Sequence, residues 1–274
     1  LRPIAYDVLA LDIDGTLLRD DRTVSDRTRA AVGEARRRGV RLVLVTGRRP
    51  PAARRVARLL GEGIPLILHN GALIIDGGEI VHSRLLPLET ARSVVRHGRA
   101  QSPVAHVGSR GEGELWVGAG DARTLSVYSM DLSHPDVRAF PDLESALDRD
   151  PVQVMFGGTT DEVLALSEVL SRALPGEIRL EKTLYPSAGT GLLDVLHPGV
   201  SKARGLKRLL DLWGVSLKRT LAIGDNWNDE GMLLSVGLGL VMGNADKGLL
   251  ALGLPVLPTN EEDGVAVAVE RYLS

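Results

Sequence analysis

Short apolar runs recur along the first part of the chain, separated by stretches in which apolar residues return every three or four positions. Tyr6 to Ile13, Val40 to Val45 and Pro65 to Leu68 predict buried strands. Between them, Ser25 is placed to cap a helix running through Arg38, with Gly39 as its stop. Pro50 or Pro51 opens a second helix. Strand, helix, strand, helix, strand is the pattern of a parallel sheet with helical crossovers.

The rhythm then changes. Ala72 to Ile75 and Glu79 to His82 flank an Asp-Gly-Gly turn and predict a hairpin. A helix follows Pro87 to about Gln101. Val104 to Val107 and Glu114 to Val117 predict strands joined through a hairpin loop at Gly111-Glu112-Gly113. Val152 to Phe156, a helix from Thr160 to Ala173, Ile178 to Thr183 and Leu192 to Leu196 follow. Hairpins mixed with a few helices predict an α+β domain inserted into the first. From Ser201 the strand-helix alternation returns: a helix to about Trp213, a strand from Thr220 to Ile223 and a helix from Asp229 to Val236. A strand from Leu238 to Met242 and a closing helix from Val265 to Leu273 complete it. The expected division is a discontinuous α/β core, residues 1–82 and 189–274, around an insertion of residues 83–188.

Composition narrows the classes. A chain of 274 residues accommodates one large domain or two smaller ones. The hydrophobic fraction of 44% and charged fraction of 25% are those of a folded globular protein. A formal net charge of −2 supplies no basic excess for nucleic acid or an anionic membrane. The absence of cysteine excludes disulfides, thiolate metal sites and a cysteine nucleophile. No apolar stretch reaches the roughly 20 residues of a membrane span. Asp7, Asp12 and Asp14 interrupt the first apolar run, which does not read as a signal peptide. A cytoplasmic location is expected.

Four segments carry candidate chemistry. Asp12-Ile13-Asp14-Gly15-Thr16 ends the first strand, and residues two apart point to the same side of a strand. Asp12 and Asp14 converge where open α/β sheets bind ligands, and two close carboxylates require a proton or cation between them. A metal fits there, with one carboxylate as nucleophile and the other as acid/base; a solvated Asp-Gly turn fits the same residues. Thr46-Gly47-Arg48 follows the second strand and offers a hydroxyl and backbone N–H groups to phosphate oxygens, or a plain helix cap. Ser201-Lys202 starts a helix, where a lysine opposes the macrodipole unless it neutralises an anion; a surface lysine is the alternative. Gly224-Asp225-Asn226-Trp227-Asn228-Asp229 follows another strand and supplies further carboxylates of the kind magnesium prefers, or an Asx-rich turn.

In this order the four segments resemble those of the haloacid dehalogenase superfamily of phosphotransferases, in particular its Cof-type branch. Asn70-Gly71-Ala72, the stretch from Ser187 to Lys202, Met242-Gly243-Asn244-Ala245 and Asn260 to Ala266 match as well. The resemblance spans the chain, although the insertion matches only at its edges, and Trp227 stands where the family varies. It implies a Rossmann-like parallel-sheet core with an inserted α+β cap that closes over the site. It implies a magnesium-dependent phosphatase acting on a small phosphomonoester, such as a sugar phosphate, as a monomer or small homo-oligomer. Asp12 would be the nucleophile, forming an aspartyl-phosphate, and Asp14 the acid/base. Mg2+ would be held by Asp12, the backbone carbonyl of Asp14 and Asp225, with Asp229 a ligand or close behind. Thr46, Gly47, Lys202 and Asn228 would bind the phosphoryl oxygens. A phosphomutase acting on a phosphosugar and a non-catalytic phosphometabolite-binding protein are the competing readings.

Other conspicuous residues take ordinary roles. His69, His82, His97, His106, His134 and His197 lack metal-ligand spacing and are expected in the core or at the surface. Arg36, Arg37 and Arg38 predict a solvated charge cluster at a helix C-terminus. His106, Arg110 and Trp116 are candidates for substrate selection within the insertion.

Overall fold

The computed structural model describes residues 6–107, 113–120, 123–127, 130–185 and 188–273. The chain opens with β1 (Val8–Leu11), α1 (Asp26–Arg37), β2 (Arg41–Val45), α2 (Pro50–Leu60), β3 (Leu66–Leu68), β4 (Leu73–Asp76) and β5 (Glu79–Ser83). Next come α3 (Leu88–Gly98), β6 (Val104–His106), β7 (Leu115–Gly118), α4 (Arg123–Val127), β8 (Val137–Phe140) and α5 (Leu143–Ala146). Then follow β9 (Gln153–Thr159), α6 (Thr160–Ala173), β10 (Arg179–Tyr185) and β11 (Thr190–Leu196). The chain ends with α7 (Lys202–Trp213), β12 (Thr220–Gly224), α8 (Glu230–Ser235), β13 (Leu238–Val241), α9 (Lys247–Leu250) and α10 (Gly264–Tyr272). Two compact units result: Leu1–His82 with Ser201–Ser274, and Ser83–Val200.

The first unit is built on a seven-stranded sheet ordered β13-β12-β1-β2-β3-β4-β5. The strands from β13 through β3 are parallel, and β4 turns back antiparallel on β3. A parallel strand is covered on both faces, so β1 reads as an unbroken apolar run. Leu9 and Leu11 face one cluster, with Val32 of α1, Val56 of α2 and Val269 of α10. Val8 and Ala10 face the other, with Leu206 and Leu209 of α7 and Met232 of α8. Ser25 caps α1 as its sequence predicts, accepting from the Thr28 N–H at 3.0 Å. Gly39 leaves the helix with φ +93°, a conformation that excludes most side chains. The sheet reverses direction of growth between β1 and β12, because β1 leads to β2 on one side while β12 lies on the other. Ligands of open α/β sheets bind at the carboxyl ends of strands beside such a point.

The second unit contains a six-stranded sheet ordered β10-β11-β9-β6-β7-β8. Its pairs are antiparallel except β7 with β8. Val154 and Phe156 of β9 pack on one face against Val94 of α3 and Val163 and Leu166 of α6. On the other face, Met155 joins Val104, Leu115 and Leu125. The helix α6 starts on a reciprocal capping box between Thr159 and Glu162.

Three expectations are corrected. The chain rejoins the first unit at Ser201 rather than at residue 189, because β11 pairs with β10 and β9 along its whole length. Arg36 is not part of a solvated cluster: its guanidinium donates to the carbonyls of Leu60 and Glu62 at 2.7 and 2.9 Å and ties α1 to the end of α2. Trp116 is 6% exposed and belongs to the apolar cluster under α3 and α6, whereas His106 points to the opposite sheet face in register with Leu115. Arg110, Ser187 and the loop residues Gly111 and Glu112 lie outside the described residues. Among the described residues, no helix is long and apolar enough to cross a membrane.

Candidate active site

Three parallel strands of the first unit end in polar segments. Asp12 follows β1, Thr46 follows β2 and Asp225 follows β12. Gly15, at φ +77°, turns the chain after the first pair of aspartates; a Cβ there would stand 2.3 Å from Asp225 Oδ2. Only glycine lets these two loops meet. Thr16 Oγ1 then donates to Asp225 Oδ1 at 2.6 Å, and Asn244 Nδ2 donates to the Gly15 carbonyl at 2.8 Å.

Lys202 is the first residue of α7, whose N-cap is Ser201. Its side chain is only 2% exposed. The Nζ donates to Asp12 Oδ1 and to Asp229 Oδ1, both at 2.7 Å. Burying an ammonium requires this sort of pairing. Asp229 is fully buried, and its second oxygen accepts from the backbone N–H groups of Asp225 and Asn226 at 3.2 and 3.1 Å. Gly224 admits it, since a Cβ there would lie 2.5 Å from the Asp229 carboxyl carbon.

Asp12, Asp225 and Asp229 each present a carboxylate oxygen within 4.8 Å of the others. Burial pushes the Asp12 carboxyl well above its ordinary range; Lys202 opposes this, while Asp229, Asp225 and Asp14 add to it. Burial, then the charge of Asp229, pushes Asp225 up to about 7. Burial disfavours the Lys202 ammonium, but Asp12 and Asp229 together hold its pKa above the usual lysine range. With all three carboxylates ionised, one ammonium would leave two negative charges uncompensated, which is why burial and mutual repulsion favour the protonated forms of Asp12 and Asp225 when no cation is bound. An all-oxygen donor set with that deficit fits a divalent cation of the magnesium type.

The other expected residues lie around this centre. Asp14 is not in the carboxylate cluster. Its side chain is 60% exposed and forms a two-point ion pair with Arg48, Nε donating at 2.7 Å. Thr46 is buried, its Oγ1 accepting from the Arg48 N–H at 3.1 Å. Gly47 lies against the Asn70 amide, and Asn228 Nδ2 donates to Asn70 Oδ1 at 3.0 Å. Trp227 is 50% exposed and lies over Gly248, where a Cβ would meet its ring at 2.2 Å. Thr16, Asn70 and Asn244 take part in this framework; the sequence places each in a matching segment but gives it no role, because its partner is distant in the chain.

The arrangement is a buried carboxylate beside a lysine, a cluster of three aspartates and an exposed carboxylate two residues on from the first. A model of the haloacid dehalogenase-like hydrolase family matches residues 9–269. A Bacillus subtilis protein named 5-amino-6-(5-phospho-D-ribitylamino)uracil phosphatase YitU is 27% identical over 270 residues, covering 97% of each chain. The Escherichia coli pyridoxal phosphate phosphatase YbhA is 27% identical, covering 97% of this chain and 98% of its own. A solved haloacid dehalogenase-like hydrolase from Bacteroides thetaiotaomicron superposes with a TM-score of 0.81 at 26% identity, over 97% of this chain and 99% of that one. The chain belongs to the haloacid dehalogenase-like hydrolases, in their Cof-type branch of phosphatases.

Proposed function

We propose that the protein is a cytoplasmic, magnesium-dependent phosphatase that hydrolyses a small phosphorylated metabolite through an aspartyl-phosphate on Asp12. The observation that carries this is the buried Asp12 carboxylate at the end of β1, held by Lys202 at 2.7 Å with its second oxygen left without a partner among the described residues. Asp12 uses that oxygen to attack phosphorus, forming a new P–O bond as the bond to the leaving alcohol breaks. Asp14 gives the alcohol its proton. A water molecule then attacks the phosphoryl group, Asp14 takes its proton, and the Asp12–phosphorus bond breaks to release inorganic phosphate. Thr46, Gly47, Asn228 and Lys202 hold the phosphoryl oxygens. Phosphoryl transfer depends mainly on such positioning and charge stabilisation.

Asp12, the Asp14 carbonyl and Asp225 would hold Mg2+, which supplies charge neutralisation at the phosphoryl group. Asp229 already accepts from Lys202 and two backbone N–H groups, so it serves better as the anchor of lysine and loop than as a direct ligand. The relatives' names join a phosphate to a ribitylamino-pyrimidine or to pyridoxal. A small phosphomonoester, a sugar phosphate or similar compound, is the corresponding substrate class here.

A panel of phosphorylated metabolites assayed for phosphate release with magnesium tests the activity. Rapid quench and mass spectrometry of the peptide containing Asp12 test the intermediate. Release of phosphate without a bisphosphate activator supports the phosphatase; isomerisation of a phosphosugar with an activator and no net phosphate release would identify a phosphomutase instead.

A further inference from the structure

The turn after β3 is strained. His69, Asn70 and Gly71 have φ of 49°, 56° and 105° in succession. A left-handed backbone is uncommon outside glycine, although asparagine and histidine adopt it more readily than most residues, so three such residues in succession make an unusual turn. The surroundings enforce it: the N–H groups of His69 and Asn70 donate to the carbonyls of Arg48 and Thr46 at 3.2 and 3.0 Å. Gly71 presses on the Ser201 carbonyl, which a Cβ would meet at 2.3 Å.

This conformation delivers the Asn70 side chain to one place. The residue is 2% exposed, and its amide oxygen and nitrogen lie 3.2 and 3.3 Å from where a Gly47 Cβ would stand. Oδ1 accepts from Asn228 Nδ2 at 3.0 Å. Nδ2 donates to nothing among the described residues. The buried Asn228 Oδ1 likewise has no partner among the described residues. On an otherwise buried side chain, Asn70 Nδ2 is not among the sealed-off polar atoms, and it lies beside a glycine whose missing Cβ leaves room there.

We infer that Asn70 is a further phosphoryl-binding residue: its Nδ2 donates to a phosphate oxygen seated at Thr46 and Gly47, while its Oδ1 holds Asn228 against the same group. The inference rests on the phosphate-site reading of the preceding section. It goes further by giving the strained turn a function, since relaxing the turn would withdraw the donor.

The test is the affinity for inorganic phosphate, measured by calorimetry with magnesium present, for the wild type, Asn70→Asp and Asn70→Gly. Aspartate and glycine both tolerate the left-handed backbone. Aspartate still accepts from Asn228 but has no donor. A hydrogen bond to a charged group corresponds to roughly a ten- to hundredfold change in affinity, so both variants should weaken phosphate by at least about tenfold. Asn70→Gly made in an Asn228→Ala background should cost a similar factor again. Phosphate binding by Asn70→Asp equal to wild type, or no further loss in the Asn228→Ala background, overturns the inference. Should the glycine variant not fold, Asn70→Asp alone decides. A wild type that hydrolyses no phosphomonoester, yet binds phosphate in an Asn70-dependent way, refutes the phosphatase reading and supports this one. A wild type that binds no phosphate overturns this inference.

Discussion

The Lys202 Nζ stands 2.7 Å from Asp12 Oδ1, across 190 positions of sequence, in a place where the lysine is 2% exposed. The same ammonium reaches Asp229. Removing one partner of a buried ion pair leaves the others uncompensated, which costs about 3–5 kcal/mol. Lys202→Met should therefore lower the unfolding free energy by about that amount and abolish phosphatase turnover. Urea unfolding at unchanged m-value measures the first. A loss below about 1 kcal/mol would contradict the role of Lys202 as the buried counter-charge of these carboxylates.

Magnesium should raise the thermal midpoint of the wild type, because a ligand bound only by the folded state stabilises it in proportion to ln(1 + [L]/Kd). Asp225→Ala should lose that rise, since Asp225 offers an oxygen within 4.8 Å of Asp12 and Asp229. Chelation should stop turnover and magnesium should restore it, with calcium a poor substitute because its coordination is looser and larger. Full turnover in excess chelator contradicts the metal assignment.

Gly71→Ala should be far more damaging than an exposed substitution of the same kind. Its φ of +105° is already unfavourable for alanine, and its Cβ would lie 2.3 Å from the Ser201 carbonyl, immediately before the lysine of the site. About 1–3 kcal/mol of backbone strain is expected before any packing loss. Because α7 must shift to make room, kcat should fall along with stability. Gly77→Ala supplies the control: its φ of +59° is also left-handed, but a Cβ there meets nothing within 4 Å.

The parallel sheet was legible because both of its faces are covered, which writes strands such as β1 and β2 as short apolar runs between helical periods. The segments that meet around Asp12 were legible because each occupies a strand end or helix start. The second boundary was not. The run from Leu192 to Leu196 suits a strand of either sheet, and only its register against Val154 to Gly157 decides which one it joins. The strand β8 carries Val137, Arg138, Ala139 and Phe140 with both middle residues exposed, so neither an alternating nor a continuous apolar pattern marks it. The Arg36 contacts and the Thr16–Asp225 bond depend on partners 24 and 209 positions away, beyond any local signal.

Asp194 in β11 offers a pH test distant in sequence from the site. Burial, reinforced by the charge of Glu181, raises its carboxyl from 3.8 to about 7, despite a hydrogen bond from Gln153 Nε2 at 3.1 Å. A carboxyl raised in the folded state is no burden below pH 3.8, where both states are protonated. As pH climbs towards 7 the unfolded chain releases the proton first, and stability falls by at most about 1.4 kcal/mol per pH unit. Above that window the penalty is constant. Asp194→Asn removes it, so the variant should gain on the wild type between pH 4 and pH 7 and hold that gain at pH 8. Paired denaturant titrations at pH 4.5 and 8 check this, and an equal difference at both pH values would refute it.

Asp12→Asn and Asp14→Asn should fail in different ways. An amide at position 12 is no nucleophile, so phosphoryl transfer should fall by several orders of magnitude. Asp14→Asn keeps the nucleophile and its own backbone carbonyl, and the substituted side chain was 60% exposed, so the fold should tolerate it. Breaking the ion pair with Arg48 removes an exposed interaction of about 0–1 kcal/mol. What the variant loses is proton transfer in both half-reactions. An aryl phosphate has a leaving group that needs little protonation, so the first half-reaction should proceed with it. The second should stall, because the attacking water lacks its base. The Asp14→Asn protein should therefore accumulate phosphate on Asp12 when mixed with an aryl phosphate, and rapid quench with peptide mass spectrometry should find it there. A phosphoryl group on any other residue, or undiminished turnover by Asp12→Asn, would overturn the assignment of the two carboxylates.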